Sequence, residues 1–291
     1  MQEKIKPYFN IIKITIFFIL ISIFLFFIIK NISLINLELI IQYKYTTLTI
    51  ILLASLLILL KSFQLKAISD IFTKQKSYFH FIKTYCMSSF IELTTFTGKI
   101  GSDGFKYIHW SDLSKKERIS IIIIQRSADI IGFIFLFLIF FKPLLLIPVI
   151  ITFISTYTYL KYKKKENVII QSLSPHLPMW SLMLIISIIS YIIIATQLSL
   201  IFHTLGAQVN KTILSGFLFS HAAGAISQLP LGIGVKDLSL AYILKDTLSP
   251  QNIILGLIWI RLCGEFISIS LGAIFFAASL KQSSKETIPP P

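Results

Sequence analysis

Two arginine and carboxylate pairs stand inside otherwise apolar runs of this 291-residue chain. Arg126 precedes Asp129 by three positions and Arg261 precedes Glu265 by four, so each pair lies on one face of a helix. A charge at mid-membrane costs about 3 kcal/mol or more, and such groups face a cavity or a partner. A guanidinium fork suits phosphate or carboxylate oxygens. The acids can orient those bases or hold the cationic part of a zwitterion. Two readings stay open for the pairs, ion pairs that only lock helices and contacts to a ligand, and both place them inside a bundle.

A second kind of chemistry lies in two glycine breaks. The stretch S-Q-L-P-L-G-I-G-V-K-D (residues 227–237) sets Pro230, Gly232 and Gly234 where a helix should run on, followed by Lys236 and Asp237. The stretch T-G-K-I-G-S-D-G-F-K (residues 97–106) carries Gly98, Lys99, Gly101, Asp103 and Lys106. Irregular backbone at membrane depth leaves N–H and C=O groups that only protein, water or a polar ligand can satisfy. A restarted helix presents free N–H groups and a positive dipole end, a natural phosphate or carboxylate site. Glycine lets backbone approach such a group closely. Lys236 is equally consistent with a lysine snorkelling to the interface.

These residues need long apolar elements to hold them. The chain is 55% hydrophobic and 14% charged, with 25 Phe and a mean hydropathy of +0.81. That is more apolar surface than one soluble core could hide, so the fold class is an all-α polytopic membrane protein. About six spanning helices are expected, at residues 10–29, 46–60, 119–141, 144–160, 179–202 and 253–280. The first reads as a retained helix, since no small-residue cleavage pattern follows it. Residues 1–280 form one integral membrane domain, and 281–291 read as a disordered cytoplasmic tail. Cys86 and Cys263 are far apart and form no redox or metal motif. The five histidines lack metal-binding spacing, so no metal, cofactor or catalytic nucleophile is expected.

The formal charge of +14 fits membrane topology better than nucleic acid, because the basic residues fall in short loops between apolar runs. With the N-terminus inside, 19 of the 27 Lys and Arg fall in inner segments and six in outer ones. That asymmetry places both termini in the cytoplasm of a cell with the chain in its inner (plasma) membrane. It also requires residues 212–248 to enter and leave on the outer side. Residues 79–110 are then re-entrant or interfacial from the inner side.

The two regions share an order: mixed helix, glycine break, acid, long helix with Arg and a carboxylate. From acid to arginine is 23 residues in one (Asp103 to Arg126) and 24 in the other (Asp237 to Arg261). Arriving from opposite sides, the halves around 79–141 and 212–280 read as an inverted repeat.

The element L-P-L-G-I-G-V-K-D (residues 229–237), the later I-R-L-C-G-E-F (260–266) and the Q-R-S-A-D run (125–129) resemble the lysylphosphatidylglycerol synthase transmembrane-region family, which includes the flippase half of multiple peptide resistance factor. Ile233 stands where that family commonly has a second glycine, and Asp237 where glutamate is usual. The resemblance covers nearly the whole chain. It implies a translocase that moves a phospholipid or polyprenyl-linked lipid with an anionic or zwitterionic headgroup between leaflets, working beside envelope-lipid biosynthetic enzymes. No synthase domain is expected after Leu280, so aminoacyl transfer is not implied. Two other functions stay open: an intramembrane transferase with Asp103 or Asp237 as base, and a non-transporting accessory subunit of an envelope glycolipid pathway.

Overall fold

The computed structural model describes residues 41–72, 76–95, 98–141, 177–227, 229 and 232–286. The expected spans at 10–29 and 144–160, and the site residue Pro230, lie outside them. Among the described residues every regular element is helical. Four helices are long and apolar enough to cross a membrane, which makes the chain an α-helical membrane protein by length and composition.

Helix α1 (Lys44–Ser69) contains neither glycine nor proline over 26 residues, so nothing stops it before Asp70, whose carboxylate meets Lys66. It runs well past the expected end at residue 60, because one lysine does not break a helix. After it come α2 (Tyr78–Thr94) and α3 (Lys99–His109), then the long α4 (Lys115–Phe141). Helix α5 (Leu177–Thr204) is apolar on all sides and ends at Gly206, whose φ of 97° supplies the left-handed turn that closes many helices. Helices α6 (Lys211–Ser227) and α7 (Val235–Leu244) follow.

Helix α8 (Pro250–Ile260) starts from Ser249, whose side chain accepts a hydrogen bond from the Asn252 N–H, with Pro250 in the first turn. It passes through one π turn (Arg261–Glu265) into α9 (Phe266–Glu286). The helix therefore continues six residues into the stretch the sequence reads as a polar tail.

Helices α1 and α5 pack antiparallel at the centre, Thr46 beside Thr204 at one end and Gln64 bonded to Ser187 toward the other. Around them the pattern is reciprocal: α4 packs on α5 and α1, while α8, the π turn and α9 pack on α1 and α5.

Two helical hairpins complete the bundle. In the first, α2 and α3 close on themselves: His80 at the start of α2 stacks on His109 at the end of α3, ring centroids 5.2 Å apart, and Lys76 meets Asp112 at 2.9 Å across the base. Its tip is tight, since a Cβ at Gly101 would lie 2.2 Å from Thr95 Oγ1. In the second, α6 and α7 touch at the base through Gly216 and Ile243 and at the tip through Gly224 and Gly232. Gly232 has a φ of 66°, and a Cβ there would lie 3.0 Å from the Gly224 Cα, so only glycine fits the bend without strain.

The hairpin bases sit at opposite ends of the α1 and α5 pair. The first rests in an apolar cluster with Leu65, Ile68, Phe81, Trp110 and Ile121. The second rests in another with Phe202, Leu205, Phe217, Leu244 and Trp259. Outward-facing Leu52, Ile123, Ile130 and Ile185 remain exposed on the spanning helices, as lipid contact requires.

Candidate functional site

The hairpin tips carry their acids to the arginines of the helices that follow. Gly98, with a φ of 47°, turns the chain out of α2 so that α3 restarts at Lys99. Asp103 then lies one turn into α3, and Arg126 grips it with a fork: Nε donates to Oδ2 at 2.9 Å and Nη2 to Oδ1 at 2.8 Å. Lys106 adds a second cation 3.6 Å from Asp103 and donates to Gln125 Oε1 at 3.1 Å. Asp129 does not pair with Arg126. It takes a hydrogen bond from Lys61 of α1 at 2.6 Å and another from Ser187 of α5 at 2.8 Å, which ties three helices together.

The second tip repeats the clamp in a more closed setting. Asp237 lies in the first turn of α7, accepts the Gly234 N–H at 3.2 Å and takes Arg261 Nη2 on both oxygens at 2.9 Å. Its side chain is only 3% exposed. Glu265 receives Arg261 from one side and Lys236 from the other, the latter at 3.0 Å. Here the arginine does pair with the acid of its own helix, across the π turn.

Two cavities open beside these clamps. One of about 380 Å³ is lined by Lys99, Asp103, Arg126, Asp129, Tyr191 and His221. Another of about 170 Å³ is bordered by Glu92, Gln197, His221, Lys236, Asp237 and Glu265. His221 borders both, stacked on Phe133 and edge-on to Tyr191, and its buried Nδ1 has no hydrogen-bond partner among the described residues. Donors, acceptors and charges of both signs therefore line two cavities that share His221 as a wall inside an apolar bundle. Binding of a charged polar group is what such a lining can do.

Of the residues expected from the sequence, the structure joins Asp103 with Arg126 and Asp237 with Arg261, and it places Gly98, Gly101, Gly232 and Gly234 at the tips. Lys106 joins the first clamp and Lys236 and Glu265 the second, whereas Asp129 belongs to a separate cluster with Lys61 and Ser187. Sequence reasoning left out Lys61, Glu92, His221, Gln64, Ser187 and Tyr191. Lys61 could have been found as a lysine within an uninterrupted apolar helix. Glu92 carried a similar signal, an acid in a segment otherwise fit for the interior.

At the base of the first hairpin, outside the four spans, burial and then Lys76 hold the His80 imidazole down at about 4. Burial, with Lys76 and Lys83 behind it, also lowers His109. The Lys76 hydrogen bond keeps the Asp112 carboxyl below its ordinary range. Among the described residues no group of three or more His, Cys, Asp or Glu is arranged to hold a metal ion. Set against models of known protein families and against curated proteins, the chain matches none.

Proposed function

We propose that the protein is a membrane lipid translocase, a flippase that passes a phospholipid or polyprenyl-linked lipid between leaflets. The observation that carries this reading is the pair of hairpins based at opposite ends of one bundle, each bringing an acid to an arginine beside a polar cavity. A headgroup moves along the polar seam while its tails remain in lipid. The sequence resemblance to the lysylphosphatidylglycerol synthase transmembrane-region family points the same way.

With it goes an architecture of about six spans and an inverted repeat in an inner membrane, both termini cytoplasmic. Support comes from reciprocal packing. Exchanging α1 with α5, the first hairpin with the second, and α4 with the unit α8 to α9 carries most helix contacts onto one another. Inverted repeats put their binding sites at the repeat interface, which is where the two cavities lie.

The transferase alternative finds less support. An arginine holds both oxygens of Asp103 and of Asp237, so a substrate proton would have to compete with that guanidinium for either carboxylate.

The test is leaflet exchange in liposomes with acyl-chain-labelled lipids, read by bleaching with an impermeant reductant. Exchange faster than in protein-free liposomes, and slowed when Arg126 and Arg261 are both replaced by Ala, is the expected result. No exchange for any anionic or zwitterionic lipid overturns the reading.

A further inference from the structure

Most charges along the seam are paired, and two are not. The Lys99 ammonium lines the larger cavity and makes no hydrogen bond or ion pair among the described residues. The Glu92 carboxylate borders the smaller cavity and likewise makes none. They stand seven residues apart across the tip of the first hairpin, opposite in charge, without forming an ion pair with each other. Each is the leading charge acting on the other at a distance, but neither has a contact partner among the described residues, which leaves each position able to take a counter-charge from a bound molecule.

The surroundings give each position its sign. The larger cavity is lined by two cations (Lys99, Arg126) and two carboxylates (Asp103, Asp129), and both acids take a further cation from outside the lining, Lys106 and Lys61. The smaller is lined by one cation (Lys236) and three carboxylates (Glu92, Asp237, Glu265), with Arg261 paired to two of those acids from outside the lining. His221 is a shared wall of both cavities, and Lys99 and Glu92 are each the leading charge acting on the other, which sets them within reach of one small headgroup.

A purely anionic headgroup satisfies Lys99 and leaves Glu92 repelling it. A purely cationic one does the reverse. We infer that the seam takes a zwitterionic phospholipid headgroup in one orientation, its phosphate on Lys99 and its ammonium on Glu92. This rests on the translocase reading and selects among the lipids that reading admits. Glu92 becomes the residue that distinguishes a headgroup with a free amine from one without.

The test titrates the full chain in detergent with three short-chain lipids: phosphatidylethanolamine, its N-acetyl derivative, in which the amine is neutral, and phosphatidylglycerol. Binding is read by thermal shift. The intact protein should prefer phosphatidylethanolamine by about tenfold, the ratio one charged contact supports. Glu92→Gln should bring phosphatidylethanolamine and the N-acetyl lipid to equal affinity, weakening the first and tightening the two anionic lipids that Glu92 no longer repels, whereas Lys99→Gln should weaken all three alike. Equal binding of the three lipids by the intact protein overturns the zwitterion assignment and leaves the translocase reading standing. That comparison needs no variant to fold. A preference that survives Glu92→Gln overturns the assignment as well. Failure of all three lipids to bind counts against the translocase reading itself.

Discussion

The two hairpins solve one problem, holding an acid at a broken helix inside an apolar bundle, in two ways. Asp103 keeps a 21% exposed side chain, is shared between Arg126 and Lys106, and looks into the larger cavity. Asp237 is 3% exposed, takes the N–H of Gly234 and is covered by an arginine that also holds Glu265. The first clamp is open and sets two cations on one acid, while the second is sealed and balances two cations with two acids. Similar sequence spacing thus produced one accessible end and one locked end. The π turn is part of the difference: its five residues set Glu265 four positions after Arg261, where in α4 Asp129 follows Arg126 by only three. A π turn holds an extra residue and recurs at functional positions. With that residue Glu265 stays beside its own arginine, whereas Asp129 turns to Lys61.

The sharpest way to break this comparison is to remove each arginine. Arg261→Ala strands a nearly fully buried Asp237 and should cost roughly 3–5 kcal/mol of stability, as expected when one partner of a buried pair is lost. Arg126→Ala leaves Asp103 with Lys106 and some solvent, and should cost roughly 1–3 kcal/mol. Thermal unfolding of the two variants in one detergent checks this; equal losses would show that the clamps are embedded alike.

A smaller effect is expected from the Lys61 and Asp129 pair, which exists only in the first half. A double-mutant cycle of Lys61→Met and Asp129→Asn should report a coupling of roughly 1.5–3 kcal/mol, the range for hydrogen bonds to charged groups. No coupling would mean that the pair is solvent-like despite side chains 13% and 18% exposed.

Gly232→Ala should cost roughly 1–3 kcal/mol, since alanine is strained at positive φ and its Cβ would press on the Gly224 backbone. Gly104→Ala, in the first hairpin where a Cβ meets open space, should be close to neutral. Similar melting losses at both positions would remove the second tip's claim to a special bend.

The smallest expected effect is a dependence on pH at the base of the first hairpin. His80 sits at about 4 in the fold against about 6.5 in the unfolded chain, so the unfolded state binds more protons between those values. Stability should be complete above about pH 6.5 and fall as pH drops toward the folded value. His80→Phe with His109→Phe should flatten the fall in melting temperature between about pH 7 and about pH 5. A slope unchanged in that variant would assign the acid sensitivity elsewhere.

Much of this arrangement is legible in the sequence. The helices around residues 46–60, 119–141, 179–202 and 253–280 appear as apolar runs, and the structure extends each at one or both ends. The tips at Gly98 and Gly232 appear as glycine breaks, because a backbone that must bend needs glycine whatever packs around it. The matched distances from acid to arginine mark the two halves as alike, but the clamps that join Asp103 to Arg126 and Asp237 to Arg261 came only with the structure. Pairing within a helix was legible only for Arg261 and Glu265. For Asp129 the partner lies 68 residues away on α1, and no local pattern reveals that.

The amino-acid sequence by itself determined that this is a helical membrane protein, where its helices break, and which helices bear charge. Those properties depend on apolar run length and backbone freedom, which are local. The tertiary structure alone decided which charge meets which, why one clamp is open and the other sealed, and why Lys99 and Glu92 close no ion pair among the described residues. Those outcomes depend on which faces of α1, α4 and α5 meet, and burial strengthens a charge contact only after distant segments have removed the water around it.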